Sequence, residues 1–264
     1  MVQTLRKPEI ISIARREGLV TVDGLVAHFG VTPQTIRRDL TELAESGQLE
    51  RVHGGAILPS KTTNIGYSER RELNQTAKVD IARACAARIP NDCTVFLNIG
   101  TTTEAVAVEL MRHEGLIVVT NNINIAVILS TNETIEVVVT GGNLRRSDGG
   151  LIGDLAKQTI GQFRFDYAIV GCSALREDGE ILDFDFSEVG VSKEIINRSE
   201  NVFLVADASK FERKAPAKIA SLASVSVFLT DRAPPEKTKS VCQAAGTQII
   251  VAQDPAHRHA EAID

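Results

Sequence analysis

Cysteine is scarce in these 264 residues and poorly placed for cross-linking. Cys85, Cys93, Cys172 and Cys242 show neither a C-x-x-C pair nor the dense spacing of a disulfide scaffold, so buried free thiols are expected. No apolar run is long enough to cross a bilayer, and no hydrophobic stretch near the start resembles a signal peptide; a cytoplasmic protein with no membrane partner is expected. The histidines are scattered. Only His257 and His259 lie close together, in a tail expected to be floppy and without a third ligand, so neither a metal site nor a cofactor is expected. Repeats and low-complexity tracts are absent. Positive charge is also short: 29 Lys and Arg face 34 Asp and Glu. The first 60 residues carry seven of each sign, which places the whole deficit of five in the remainder. A globally basic nucleic-acid-binding domain is therefore excluded, and any DNA contact has to rest on local clustering. With 43% apolar residues, the chain suits one small module and one ordinary domain.

Local clustering is present between Val20 and Ala56. Thr32 as N-cap and Pro33 at the first helical position predict a helix start. Beyond it Ile36, Leu40, Leu43 and Ala44 recur at the spacing of a buried stripe, while Gln34, Arg37, Arg38 and Thr41 recur on the other face. Just upstream, Thr21 can cap a helix carrying Leu25, Val26 and Phe29, and Gly30 supplies a tight turn between the two helices. The combination reads as a helix-turn-helix. Gly47 ends the last helix, and residues 49–52 followed by Gly54-Gly55 read as a short hairpin, or wing, with Arg51 and His53. In such a module the second helix enters the major groove. Gln34 and Thr35 are then the base readers and Arg38 and Arg51 phosphate contacts, while Arg37 suits either guanine or phosphate. A module that docks another protein, with Arg37 and Arg38 as a solvated face, is the alternative.

Residues 58–75 mix Pro, Ser, Thr, Asn and Gly with charge and read as a linker leading into a helix over 76–89. Strand-like runs then alternate with helical ones, at 94–98, 116–120, 135–140, 167–170, 202–206, 225–229 and 248–251, which predicts an α/β domain with a largely parallel sheet. Ligands bind outside the carboxyl ends of such strands, so the loops there form one polar rim. Gly100 followed by Thr101, Thr102 and Thr103 offers hydroxyls and helix N-terminal amides to an anion, and Lys210 offers a charge. Asn121-Asn122 and Gly141-Gly142 occupy equivalent positions. Each has a structural alternative: an Asx turn, a sharp bend, a solvated lysine.

The strings T-I-R-R-D-L and R-V-H-G-G-A, together with N-I-G-T-T-T, T-N-N, T-G-G, D-G-G and A-D-x-S-K-F, resemble the DeoR family of bacterial transcriptional regulators over nearly the whole chain. The resemblance implies a winged helix-turn-helix (1–57), a linker (58–75) and a ribose-5-phosphate-isomerase-like α/β sensor (76–264). It implies a repressor bound to operator DNA as a dimer or tetramer and released by a phosphorylated sugar or polyol. Glycerol 3-phosphate is favoured by residues 98–107, 120–127 and 182–189. An isomerase is the rival expectation, because Asp183, Asp185, Glu188 and Lys193 lie close in sequence. Against it, the isomerase's acidic loop is matched by Gly171-Cys172-Ser173-Ala174 and its catalytic glutamate by Lys193, so no activity is expected.

Overall fold

The computed structural model describes residues 3–17, 19–46, 48–52, 54–57 and 66–252. Gly47, His53 and the tail with His257 and His259 lie outside the described residues. The chain divides into two compact units, Met1–Thr63 and Asn64–Asp264.

The first unit runs α1 (Gln3–Glu17), β1 (Leu19–Thr21), α2 (Val22–Phe29), α3 (Pro33–Glu45), β2 (Glu50–Val52) and β3 (Gly55–Ile57). Both caps form as their residue types dictate. Thr21 accepts from the Gly24 amide at 3.1 Å and Thr32 from the Thr35 amide at 3.3 Å, while Gly30 ends α2 in the left-handed region with its amide on Val26 O. Ile36, Leu40 and Leu43 of α3 pack with Ile10, Val20, Leu25 and Leu49 in one core. The hairpin β2–β3 is antiparallel, and β3 also pairs with β1, which extends the wing into a three-stranded sheet. One acid joins this apolar set. Asp39 is buried on α3 and takes a forked pair of bonds from Arg6 of α1, Nε to Oδ2 and Nη2 to Oδ1, the latter at 3.1 Å.

The second unit opens with α4 (Tyr67–Glu72), which occupies part of the stretch expected to be a linker, and α5 (Gln75–Ala86). There follow β4 (Thr94–Leu97), α6 (Thr101–Leu110), β5 (Ile117–Thr120), α7 (Ile123–Leu129), β6 (Glu136–Val139), β7 (Asn143–Arg145), β8 (Gly150–Ile152), α8 (Asp154–Ile160) and β9 (Phe165–Val170). The remainder is β10 (Ala174–Leu175), β11 (Glu180–Asp183), α9 (Phe186–Asn197), β12 (Ser199–Val205), a 3₁₀ turn (Ala208–Glu212), β13 (Ala217–Ser221), β14 (Val227–Thr230), α10 (Glu236–Ala245) and β15 (Gln248–Val251).

Seven strands form one sheet in the order β15-β14-β12-β9-β4-β5-β6, every pairing parallel. Alternate residues feed two cores. Val95 and Leu97 of β4 join α5, α6 and α7 on one face, and Phe96 joins α8 and α9 on the other. Coverage of both faces is why these strands read as continuous apolar runs. A small antiparallel sheet, β10-β11-β13, and the hairpin β7–β8 lie outside it. All four cysteines are free; Cys85 and Cys242 are buried, Cys93 and Cys172 half-buried. No helix among the described residues is long and apolar enough to cross a membrane.

The strand order decides where a ligand can sit. From β4 the chain builds outward through β5 and β6, then returns to the other side of β4 for β9 and its successors. A crevice opens where the order reverses, above the carboxyl ends of β4 and β9.

Candidate functional site

The first candidate surface is the outer face of α3. Gln34, Arg37, Arg38 and Thr41 are exposed, opposite the buried stripe. Their chemistry is not equal. Arg38 Nε bonds Glu42 Oε1 at 2.9 Å, and Glu42, which Lys7 also contacts, is held below the usual carboxylate range by Lys7 first and Arg38 second. Thr41 spends its hydroxyl proton on Arg37 O at 2.8 Å, and the Thr32 and Thr35 hydroxyls meet at 2.9 Å. The side chains of Gln34 and Arg37 have no partner among the described residues, so of the four residues on this face these two are free to bond elsewhere without first breaking a contact. Arg51 is exposed on β2; His53 lies outside the described residues.

The second candidate is the crevice at the reversal. It is lined by Ile99, Gly100, Thr101, Thr102, Thr103, Gly171, Cys172, Ser173, Asp183, Glu188, Val205, Lys210 and, from α4, Arg70, and encloses ≈ 420 Å³ of space open to solvent. Gly100 precedes α6 at φ 156°, ψ 151°, a region reserved for glycine, with the Glu104 amide on its carbonyl. The amides of Thr101, Thr102 and Thr103 are consequently without backbone acceptors, the arrangement that receives an oxyanion. The hydroxyls divide the work. Thr103 Oγ1 closes the loop onto Asn98 O (2.6 Å) and Gly100 O (2.7 Å), and Thr101 Oγ1 reaches Arg70 O at 3.4 Å, whereas the Thr102 hydroxyl has no protein partner among the described residues.

Two chemistries meet in this lining. On the cationic side, the Lys210 ammonium has no hydrogen-bond partner among the described residues, and burial pushes its pKa down against the pull of Asp207. Arg70 bonds Asp148 Oδ2 at 3.1 Å through Nη2 and leaves Nε buried without a partner. On the anionic side, Ser173 Oγ donates to Asp183 Oδ2 at 2.9 Å, and Glu188 Oε2 accepts from Arg145 at 2.6 Å. Arg145 also binds Asp148 and Asp185, so one guanidinium gathers three carboxylates. Burial, aided by Asp183, outweighs Arg145 and pushes Glu188 up to about 7. Burial likewise pushes the Cys172 thiol up to about 12, which keeps it protonated and poorly nucleophilic near neutrality.

The folded chain thus holds the Glu188 proton to about pH 7, while an unperturbed glutamate releases it at 4.5. The stability contributed by this group is full below 4.5 and is lost as pH rises through about 7. Glu188→Gln is expected to flatten the melting temperature across that window. A variant that keeps the wild-type slope overturns the assignment.

Of the rim residues expected from sequence, Gly100, Thr101, Thr102, Thr103 and Lys210 come together in the crevice. Asn121, Asn122, Gly141 and Gly142 do not line it. Asn122 is fully buried, accepting from the Asn124 amide and donating to Glu104 Oε1, and Asn121 donates to Leu151 O at 3.3 Å. At Gly142, φ is 128° and a Cβ would lie 2.6 Å from Ile152 O; at Gly141 it would strike Leu155 at 2.8 Å. These glycines serve the approach of β8 and α8, beyond β6 at the sheet's edge. Arg70 went unrecognised in the apparent linker. Asp183 and Glu188, which the sequence offers as isomerase carboxylates, as ligand or dimer contacts or as a charged strand-end loop and helix start, line the crevice together with the threonine loop.

Residues 6–62 match the DeoR-like helix-turn-helix domain and residues 73–232 the DeoR C terminal sensor domain. The chain is 44% identical to the glycerol-3-phosphate regulon repressor of Escherichia coli K12 over 91% of its own length and 96% of that protein. The Haemophilus influenzae protein of the same name is 44% identical over 89% and 91%. HTH-type transcriptional repressor CsqR of Escherichia coli K12 is 37% identical over 95% and 96%. Among solved structures, ribose 5-phosphate isomerase A of Methanocaldococcus jannaschii is similar over 52% of this chain and 55% of that one, at 13% identity and a TM-score of 0.40. Both sequence models and full-length relatives agree, and the chain belongs to the DeoR family of transcriptional regulators.

Proposed function

We propose that the chain is a sequence-specific repressor of a polyol or carbohydrate catabolic operon, released from its operator when a phosphorylated metabolite enters the crevice. The observation that carries this reading is the pairing, in one chain, of an unengaged Gln34/Arg37 face on a capped helix with a crevice whose amides, Thr102 hydroxyl and Lys210 lack partners among the described residues. Phosphate suits the amides and cations, and Asp183 and Glu188 suit the hydroxyls of a small polyol. Glycerol 3-phosphate ranks first because two of the relatives quoted above are named for that regulon. The reading includes a cytoplasmic homo-oligomer, dimer or tetramer, since two half-sites on DNA are matched by a two-fold axis in the protein. Release further requires that the metabolite bind the two states of the repressor unequally.

A mobility-shift titration on a glycerol-gene promoter tests it, with glycerol 3-phosphate, fructose 1-phosphate and deoxyribose 5-phosphate added in turn. Specific binding released by one of them is expected; no shift at low salt defeats the reading. Gln34→Ala is expected to relax preference at one or two base pairs, by about 1–3 kcal/mol. Arg38→Ala is expected to weaken all sequences alike and lower the salt slope by about 1, with a smaller loss than Arg37→Ala because Arg38 must first leave Glu42. Unchanged operator binding in all three variants removes α3 from the interface.

A further inference from the structure

A second, smaller pocket adjoins the crevice. It is lined by α4 and α5 residues Arg70, Leu73, Asn74 and Lys78 and by Asp207, Ser209, Lys210 and Arg213 around the 3₁₀ turn, and encloses ≈ 270 Å³ of space open to solvent. Four cations face one carboxylate. That carboxylate is already engaged: Asp207 Oδ1 accepts from Asn74 Nδ2 at 3.0 Å and from the Ser209 amide at 3.1 Å. Lys78 is buried and donates only to the Arg70 carbonyl, and burial together with Lys210 pushes its pKa down to about 8. Arg213 lies 5.7 Å over the Phe184 ring, and its Nη2 and Arg70 Nε are both buried with no partner among the described residues.

Beyond Asp207 and the Asp148 carboxylate on Arg70, these cations have no counter-charge in the lining, and half-buried cations in excess, with guanidinium N–H groups lacking acceptors, are costly to fold. Such a set is expected where an anion completes it. The crevice has its own oxyanion donors at the start of α6, and neither those threonines nor Asp183 and Glu188 line this pocket. Only Arg70 and Lys210 belong to both.

We propose that this pocket is a second anion site, for a phosphate-class group, set beside the effector crevice and coupled to it through Arg70 and Lys210. The group is either free inorganic phosphate or the second phosphate of a bisphosphorylated metabolite. The proposal extends the effector reading above but is tested without DNA, so the two fail separately. Of the two pockets, Lys78 and Arg213 line only this one, and Lys78→Met and Arg213→Met each remove one of its charges while keeping an unbranched apolar stem.

Calorimetric titration of the full-length protein in phosphate-free buffer compares glycerol 3-phosphate, fructose 1,6-bisphosphate and inorganic phosphate. The expected result is that the bisphosphate binds at least tenfold tighter than the monophosphate, or that inorganic phosphate binds alongside saturating glycerol 3-phosphate. The first outcome assigns the site to one doubly charged molecule, the second to free phosphate. Either advantage is expected to fall at least tenfold in Arg213→Met and in Lys78→Met, with glycerol 3-phosphate affinity kept within about twofold. Should Lys78→Met fail to fold, Arg213→Met alone decides. The proposal is overturned if neither advantage exists in the wild type, if it survives in the variants, or if the variants abolish glycerol 3-phosphate binding, which would make these cations part of the first site.

Discussion

Lys210→Met is expected to leave operator affinity unchanged and to raise the effector concentration needed for release about 10- to 100-fold. The size follows from charge-assisted hydrogen bonds, which contribute about 1.5–3 kcal/mol where the partner is an oxyanion. Lys210 is suited to that role because nothing among the described residues bonds its ammonium, while burial already disfavours its charge. The same fact gives the variant a second signature. Methionine fills a similar volume without carrying an uncompensated cation, so the metabolite-free protein is expected to melt no lower than wild type, and the rise in melting temperature on adding effector is expected to shrink. Thr102→Val acts in the same direction with a smaller effect, since the three amides at the start of α6 remain. Normal release by both variants would take the threonine loop and Lys210 out of the effector site.

Asp39→Ala is expected to have the opposite selectivity, with DNA binding lost and effector binding kept. Removing one partner of a buried ion pair costs about 3–5 kcal/mol, because the other charge stays buried without compensation. Here the stranded group is Arg6, whose side chain is 8% exposed. The first unit has a single small core of the residues from Ile10 to Ala56, and a loss of that size is a large share of the total stability of an ordinary domain, about 5–15 kcal/mol. The expected observation is an early melting transition and no mobility shift, while calorimetry with effector is unchanged. A double variant, Arg6→Met with Asp39→Leu, is expected to recover much of the loss, as a cycle between coupled partners requires. Wild-type melting in Asp39→Ala alone would show that the pair does not hold α1 to α3.

Most of this architecture is legible in the residue pattern, and the exceptions share a cause. Ile36, Leu40 and Leu43 declare a buried stripe at helical period, and Gln34 and Arg37 declare the free face. Asp39 gives no such signal, because its partner sits 33 residues away on another helix. The seven parallel strands show as apolar runs since both faces are covered. β7, β8, β10, β11 and β13 escape notice because they lie outside that sheet and do not form continuous apolar runs. Around the crevice, the threonine loop is visible as small residues between a strand and a helix. Asn121-Asn122 and Gly141-Gly142 look identical by that criterion, yet they end β5 and β6, away from the reversal in strand order. Local composition marks the end of a strand but carries nothing about which strand lies beside it, and that neighbour relation also hides Arg70.

The central pairing of the large sheet has a consequence for synthesis. β4 lies against β9, and the Thr94 amide is capped by Asp166, 72 residues further along the chain. The floor of the crevice therefore cannot close until β9 has left the ribosome, whereas the first unit is complete within its opening 63 residues and can fold as it emerges. Each newly made copy passes through a stage in which its helix-turn-helix exists and its crevice does not, so premature termination ahead of β9 is expected to yield polypeptides that cannot respond to the proposed effector.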